Sequence, residues 1–346
     1  MGNQLNCRPN NASKTIKNSH VRQSIRKNKL EQELLQQQAL AFLLHQQQMA
    51  KTRLDRSMSQ KNPNQAHQKG IPRSMSMRSG SSSDMNVRAV SRIGKIQFVL
   101  IHGGGTGAWC WYKSIALLEG AGFVATAIDL LGSGIDSTDP NTVSGLAQHT
   151  EPLFQFLDKL AEDEMVILVG HDIGGACISY AMEHFPHKIS KAVFVAATMV
   201  VNGQSAFDVF ASEVMSEDNL LPNAQQFVYA NGNSSSPTAI KLESSLLKGV
   251  FFNQCPAKDV ALATVAMRPV PFAPVLEKLN LTNEKYGRVR RFYIETTEDS
   301  ALPLTLQEKL ISLNPPERVF KVKSDHCPFF SKPQSLHKIF TEIADE

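Results

Sequence analysis

Long apolar runs are absent from this 346-residue sequence: no run of about 18 apolar residues occurs, so no membrane-spanning helix is expected. Cysteine is also scarce. Its five positions, Cys7, Cys110, Cys177, Cys255 and Cys327, are scattered, odd in number and without CxxC or zinc spacing. Free thiols in a reducing compartment are therefore expected, and a metal site is not. The G-x-G-x-x-G spacing of a dinucleotide site is missing too, so no cofactor is expected.

Acidic residues are few in one part of the chain only. Residues 1–95 contain 17 Lys and Arg but 4 Asp and Glu, a net charge of +13, whereas the remainder carries −9. The total of +4 and the basic pI therefore arise from a basic leader joined to an acidic body. We expect no nucleic-acid partner, because the body has no basic excess.

The leader, residues 1–95, is rich in Asn, Gln, Ser, Lys and Arg, and this composition predicts a largely disordered segment. A basic, Ser-bearing, acid-poor leader is typical of an organelle transit peptide, and a plain disordered tail has a similar composition. A third interpretation is N-terminal lipidation at Gly2, with Cys7 nearby and membrane association as the result. The usual myristoylation pattern has Ser or Thr at the sixth position, where this chain has Asn6.

From residue 96 the pattern alternates between short apolar runs and helical periodicity. Strands are predicted at 96–101, 123–128, 165–169, 189–196, 292–294 and 319–322, and helices at 111–118, 146–160, 174–184, 304–313 and 333–343. This alternation predicts an α/β domain over residues 96–346, with a mostly parallel central sheet and helices on both faces. The segment at about 201–273 breaks the rhythm and is interpreted as an inserted, mainly helical cap.

The most informative motif is GHDIGG at residues 170–175. It follows one predicted strand and precedes a helix, which is the setting of the nucleophile elbow, G-x-S-x-G, where a tight turn lifts one side chain above the sheet edge. The glycines are expected because side chains there would collide with neighbouring backbone. The N-terminus of the helix favours developing negative charge. Asp172 stands where the motif has serine.

Three further loops agree with the α/β-hydrolase fold, in which the chain order is nucleophile, acid, histidine. The run HGGG at 102–105 follows the first strand and is expected to supply one oxyanion-hole N–H, from Gly104. Ile173, directly after the nucleophile position, is expected to supply the other. Asp299 follows a later strand and is the candidate acid, and His326 follows the last strand and is the candidate base.

Several segments together resemble plant methylesterases and hydroxynitrile lyases. They are HGGG at 102–105, GAWCWY at 107–112, DL at 129–130, GSGID at 132–136, TED at 297–299 and SDH at 324–326. The resemblance covers residues 96–346, and the basic leader is similar to that of the plastid-directed branch. It implies a chloroplast hydrolase of methyl esters of small plant signalling acids, such as salicylate, jasmonate or indole-acetate. It also implies that Asp172, Asp299 and His326 form the catalytic set.

Aspartate at position 172 changes the expected chemistry. A serine nucleophile gives its proton to histidine, and a carboxylate has none to give at neutral pH. Attack by Asp172 on a carbonyl would form an anhydride. A second carboxylate near His326 is also expected to raise the imidazole pKa, and a protonated imidazole is not a base. Ester hydrolysis by the usual route is therefore expected to be weak or absent.

Two alternatives stay open beside a methylesterase acting on a small-molecule ester. The first is an Asp-nucleophile hydrolase of the epoxide-hydrolase type, in which Asp172 attacks an alkyl carbon and a His-activated water hydrolyses the alkyl ester. That class normally uses two cap tyrosines, and the cap segment here contains only Tyr229. The second is a non-catalytic protein that keeps the pocket and binds a small ligand.

Overall fold

Nine β-strands form two sheets in the part of the chain that the computed structural model describes, residues 96–214, 221–232 and 236–346. The strands are β1 (Gln97–Ile101), β2 (Val124–Ile128), β3 (Val166–Asp172), β4 (Ile189–Ala197), β5 (Gln225–Val228), β6 (Ala239–Leu242), β7 (Val270–Pro271), β8 (Arg290–Thr296) and β9 (Arg318–Val322). Six of them form a parallel sheet in the order β2-β1-β3-β4-β8-β9. The predicted parallel sheet is confirmed.

The order of the central sheet fixes where a site can form. The chain runs from β1 outward to β2 and then returns across β1 to β3, so the winding direction reverses between β1 and β3. In sheets of this kind ligands bind outside the carboxyl ends of the strands at such a switch point. The HGGG loop after β1 and the turn after β3 meet at this point.

Helices cover both faces of the sheet, as predicted. The α-helices are α1 (Tyr112–Gly120), α2 (Leu146–His149), α3 (Glu151–Asp158), α4 (Gly174–His184), α5 (Ala206–Val214), α6 (Leu247–Val250), α7 (Ala257–Ala266), α8 (Ala273–Leu276), α9 (Leu304–Leu313), α10 (Pro328–Ser331) and α11 (Pro333–Asp345). Alternate residues of β1 enter different cores: Val99 packs in one with Ile178 of α4, and Phe98 in the other with Phe340 of α11. This alternation follows from the two-residue repeat of a strand.

The predicted helix at 146–160 is wrong in one respect, because the chain divides it into α2 and α3. Pro152 lies in the first turn of α3, where its missing N–H costs nothing, whereas inside one continuous helix it would remove a hydrogen bond. Among the helices of the described residues, none is long and apolar enough to cross a membrane.

The segment at about 201–273, interpreted from the sequence as a mainly helical cap, also has strands that were not predicted. It contains α5 to α7 but also the antiparallel sheet β5-β6-β7. These strands have two to four residues, too few for a period-two pattern to be recognised in a sequence. The predicted boundary between leader and body lies at the edge of the described residues, and the predictions for residues 1–95 concern residues outside them.

Candidate active site

Asp172 ends β3 in a left-handed backbone conformation. Its φ is +52°, which is uncommon for a residue with a side chain and is held against strain by its surroundings. The carbonyl oxygen of Asp172 accepts hydrogen bonds from the backbone N–H of Thr198 (2.9 Å) and from its hydroxyl (3.1 Å). The turn therefore directs the Asp172 side chain away from the strand, as expected for a nucleophile elbow.

Close backbone approach explains the glycines around Asp172. A Cβ on Gly174 would lie 2.5 Å from the carbonyl oxygen of His102, and one on Gly170 would lie 2.8 Å from that of Gly174. A Cβ on Gly103 would lie 2.6 Å from Cβ of Asp172. All three distances are shorter than van der Waals contact, so this crossing of the β1 loop and the elbow requires glycine.

The carboxylate of Asp172 occupies the pair of N–H groups predicted as the oxyanion hole. Its Oδ2 accepts a hydrogen bond from the Gly104 N–H at 2.8 Å, and the Ile173 N–H also donates to this carboxylate. Gly104 lies in the loop after β1, and Ile173 lies directly after the elbow residue. Their acceptor in this structure is the protein's own side chain.

The structure brings His326 and Asp299 to the same place. Nδ1 of His326 lies 2.8 Å from Oδ2 of Asp299, and its Nε2 lies 3.9 Å from Oδ1 of Asp172. Asp299 is fixed by three further donors at 2.8 Å, the Thr296 hydroxyl and the backbone N–H groups of Ala301 and Leu302. The carboxylate of Asp299 therefore orients the imidazole with Nε2 toward Asp172.

Charge raises the pKa of His326 to about 9. Burial alone would lower it, but the charge and hydrogen bond of Asp299, with the nearby charges of Asp172 and Asp325, outweigh the burial. The pKa of Asp172 is raised as well, mainly by burial, although the His326 charge and the two N–H donors oppose this. We infer a protonated His326 at neutral pH. Because its folded pKa exceeds 6.5, its stabilising contribution is full below pH 6.5 and lost as the pH rises through 9.

Glu298 is the neighbour that sequence alone does not separate from Asp299. Its side chain is 40% exposed and one oxygen lies 3.4 Å from Nζ of Lys323. The side chain of Asp299 is fully buried against His326. Only Asp299 of this pair can orient the imidazole.

Two histidines near the site have positioning contacts that the sequence analysis did not predict. Nε2–H of His171 donates to the backbone carbonyl of His326 at 2.8 Å, which ties the elbow to the histidine loop. Nε2 of His102 accepts a hydrogen bond from the Leu130 N–H at 3.1 Å. The proton of the neutral ring is therefore on Nδ1, which donates to the Gly103 carbonyl at 2.8 Å. Both rings are buried, and burial lowers both pKa values.

Asp325, beside His326, connects the histidine loop with the cap segment. Its Oδ2 accepts from the Gln254 N–H at 2.8 Å and from the Cys255 thiol at 3.1 Å. Its Oδ1 accepts from the Ser331 hydroxyl at 2.7 Å and from the Cys327 N–H at 3.3 Å. The carboxylate is fully buried, so these donors are what compensates its loss of hydration.

Asp325→Asn is expected to lower the free energy of unfolding by about 2 kcal/mol, since hydrogen bonds to a charged group contribute ~1.5–3 kcal/mol. The amide nitrogen would face two donors in either orientation. Urea unfolding monitored by circular dichroism measures the change, with the exposed Asp163→Asn as the matched control. Equal stability of the two variants would show that Asp325 does not hold the cap segment to the histidine loop.

A cavity of about 710 Å³, mouth included, opens above Asp172. Its floor is Gly104, Asp172 and Ile173, and its walls are Phe207, Phe210, Leu221, Gln225, Ile240, Leu242, Phe251, Val270, Val275 and Ala301. Asp172 and Gln225 are the two polar side chains among these. The cavity therefore fits a ligand with an apolar body whose polar group lies against the floor. Tyr229 is not part of the lining.

Comparison with known proteins agrees with this geometry. A family model described as "Alpha/beta hydrolase family" matches residues 98–338. A relative from Arabidopsis thaliana named "Putative methylesterase 11, chloroplastic" is 53% identical, over 94% of this chain and 88% of the relative. The chain belongs to the plant methylesterase family of the α/β hydrolases. As a family member it is a methylesterase-type carboxylic-ester hydrolase.

Two further relatives support this placement in the methylesterase family. "Methyl jasmonate esterase 1" from Vitis vinifera is 37% identical, over 72% of this chain and 96% of the relative. A crystal structure of an Arabidopsis methylesterase superposes with a TM-score of 0.65 at 34% identity, covering 72% of this chain and 99% of that one.

Proposed function

We propose that this methylesterase-family protein hydrolyses methyl esters of small, largely apolar acids, the class that includes plant signalling acids. In this proposal Asp299 orients His326, and Asp172 stands at the nucleophile position. The Gly104 and Ile173 N–H groups polarise the carbonyl oxygen of the ester. The observation that carries this proposal is the 2.8 Å contact between Asp299 and His326, whose Nε2 lies 3.9 Å from Asp172 at the floor of an apolar cavity. A relative's name, "Methyl jasmonate esterase 1", supports the substrate class.

Turnover through attack on the ester carbonyl is slow in this proposal. The Gly104 N–H already donates to Asp172 at 2.8 Å, so an ester carbonyl must displace a carboxylate from the hole. His326, with a pKa of about 9, is mostly protonated at neutral pH, so only a small fraction of it can accept a proton. Loss of one oxyanion-hole donor alone costs roughly 10²–10³ in kcat in other hydrolases.

A panel of methyl esters tests this function. We expect slow release of acid from esters with apolar bodies, and loss of that release in His326→Ala, because the residual reaction needs the imidazole. The exposed His184→Ala is the matched control and should retain the wild-type rate. Tight binding of a small acid without release of acid from any ester would instead identify a non-catalytic binding protein.

The epoxide-hydrolase alternative has no support from the cavity. Opening of an epoxide needs a group that holds or protonates the leaving oxygen, and tyrosines do this in the enzymes of that type. Tyr229 is not among the residues that line the cavity. We therefore do not propose an epoxide as the substrate.

We also propose that the protein resides in the chloroplast. Relatives that match 94% and 95% of the chain carry "chloroplastic" in their names, and the leader has the basic, acid-poor composition of a transit peptide. A fluorescent fusion of residues 1–95 should enter plastids, with or without Gly2→Ala. Membrane fluorescence that Gly2→Ala abolishes would support lipidation instead.

A further inference from the structure

The two carboxylate oxygens of Asp172 have different surroundings. Oδ2 is the acceptor for the Gly104 N–H at 2.8 Å. Oδ1 lies 3.9 Å from Nε2 of His326, which is longer than a hydrogen bond, and the Asp172 side chain lines the cavity. Oδ1 is therefore the oxygen that can form a new bond to a ligand while Oδ2 keeps the hydrogen bond from the Gly104 N–H.

The chemistry of a carboxylate decides which atom of a methyl ester it can attack usefully. Attack on the carbonyl carbon gives an anhydride and needs the Gly104 N–H, which already donates to Oδ2. Attack on the methyl carbon gives a stable alkyl ester of Asp172, and carboxylates are established covalent nucleophiles in enzymes. The group that leaves is then the substrate's own carboxylate, which needs no proton from the protein.

This inference rests on the proposed function and specifies its route. We propose that Asp172 hydrolyses methyl esters by alkyl–oxygen cleavage, with Oδ1 attacking the methyl carbon while Oδ2 stays on the Gly104 N–H. The methyl C–O bond breaks, its electron pair leaves with the acid as a carboxylate, and Asp172 becomes a methyl ester. Water then attacks Cγ of Asp172, the Gly104 and Ile173 N–H groups hold the developing charge on Oδ2, and methanol departs with Oδ1.

The same geometry provides a base at the step that requires one. The charge of Asp172 is one of the charges that raise the pKa of His326, and methylation removes that charge. The pKa of His326 therefore falls once the intermediate has formed, so a larger fraction of the imidazole is neutral. Neutral Nε2 then takes a proton from the attacking water and returns it to the departing methanol, so the protons balance.

Hydrolysis in oxygen-18 water tests the route. Alkyl–oxygen cleavage places the label in Asp172 and, after the first turnovers, in methanol, and the released acid carries none. Carbonyl attack places the label in the acid and none in methanol. We expect unlabelled acid, labelled methanol and a mass increase of about 2 Da in the peptide that contains Asp172. Label in the acid would overturn the inference and leave the proposed function standing.

A trapping experiment gives a second readout that does not depend on turnover. His326→Gln removes the base for the second step, so a methylated Asp172 should accumulate, with a mass increase of about 14 Da on its peptide. Asp172→Asn in the same His326→Gln background is the control and should show no methylation. Failure of every methyl ester to modify Asp172 would overturn the inference. Absence of acid release by the wild type as well would overturn the proposed function with it.

Discussion

Asp172→Ser is expected to raise the rate of methyl-ester hydrolysis by about 10²–10⁴-fold, the usual contribution of a positioned base. Serine leaves the Gly104 and Ile173 N–H groups free for the ester carbonyl and supplies a proton for His326 to take. Removal of the Asp172 charge also lowers the pKa of His326, so more of its imidazole is in the neutral, basic form. Initial rates of acid release by the two proteins at pH 7 measure the gain.

Asp172→Ala is the control for this gain, because it removes the same charge without adding a nucleophile. It should stay well below the serine variant on every ester. If the two variants are equally active, water rather than residue 172 attacks the ester, and the elbow has no nucleophilic role. If the serine variant is no faster than wild type, the family's serine route cannot be restored at this site.

Gly174→Ala is expected to lower the free energy of unfolding by about 3 kcal/mol, at the upper end of the usual cost of overpacking. The new Cβ would lie 2.5 Å from the carbonyl oxygen of His102 and 3.2 Å from that of Ile101. Both are backbone atoms, so no side chain can rotate away. Because the β1 loop would have to shift, the Gly104 N–H would also move from Asp172.

Gly249→Ala is the matched control for Gly174→Ala, since it also adds one methyl group to a helical glycine. A Cβ there meets no atom within 4 Å, and glycine in a helix costs roughly 0.5–1 kcal/mol relative to alanine. The control should therefore be as stable as wild type or more so in urea unfolding. A Gly174→Ala variant with wild-type stability would show that the loop and the elbow do not cross as closely as described.

Local motifs are what made the scaffold predictable from sequence. Strands such as β3 begin with an apolar run, residues 166–169, because both faces of the sheet are covered. A buried run that leads into GHDIGG indicates the strand, the turn and the following helix together. The HGGG loop is recognisable for the same reason. The ends of α4 and α9, each bounded by a turn, coincide with the predicted ranges.

What the sequence could not reveal depends on contacts between distant segments. Nothing near Asp172 in the chain indicates that its carboxylate accepts the Gly104 N–H, 68 positions away. The contacts of Asp325 with Gln254 and Cys255 likewise join segments about 70 positions apart. The cap strands were missed because they are short and lack a strong periodic signal.

The negative charges of Asp299 and Asp172 together keep His326 protonated in this site. The most direct measurement is the NMR titration of the His326 imidazole in the wild type and in Asp172→Asn. We expect a wild-type pKa of about 9 and a clearly lower value in the variant. A wild-type pKa at or below 6.5, or one that Asp172→Asn does not change, would show that Asp172 does not help to keep His326 protonated.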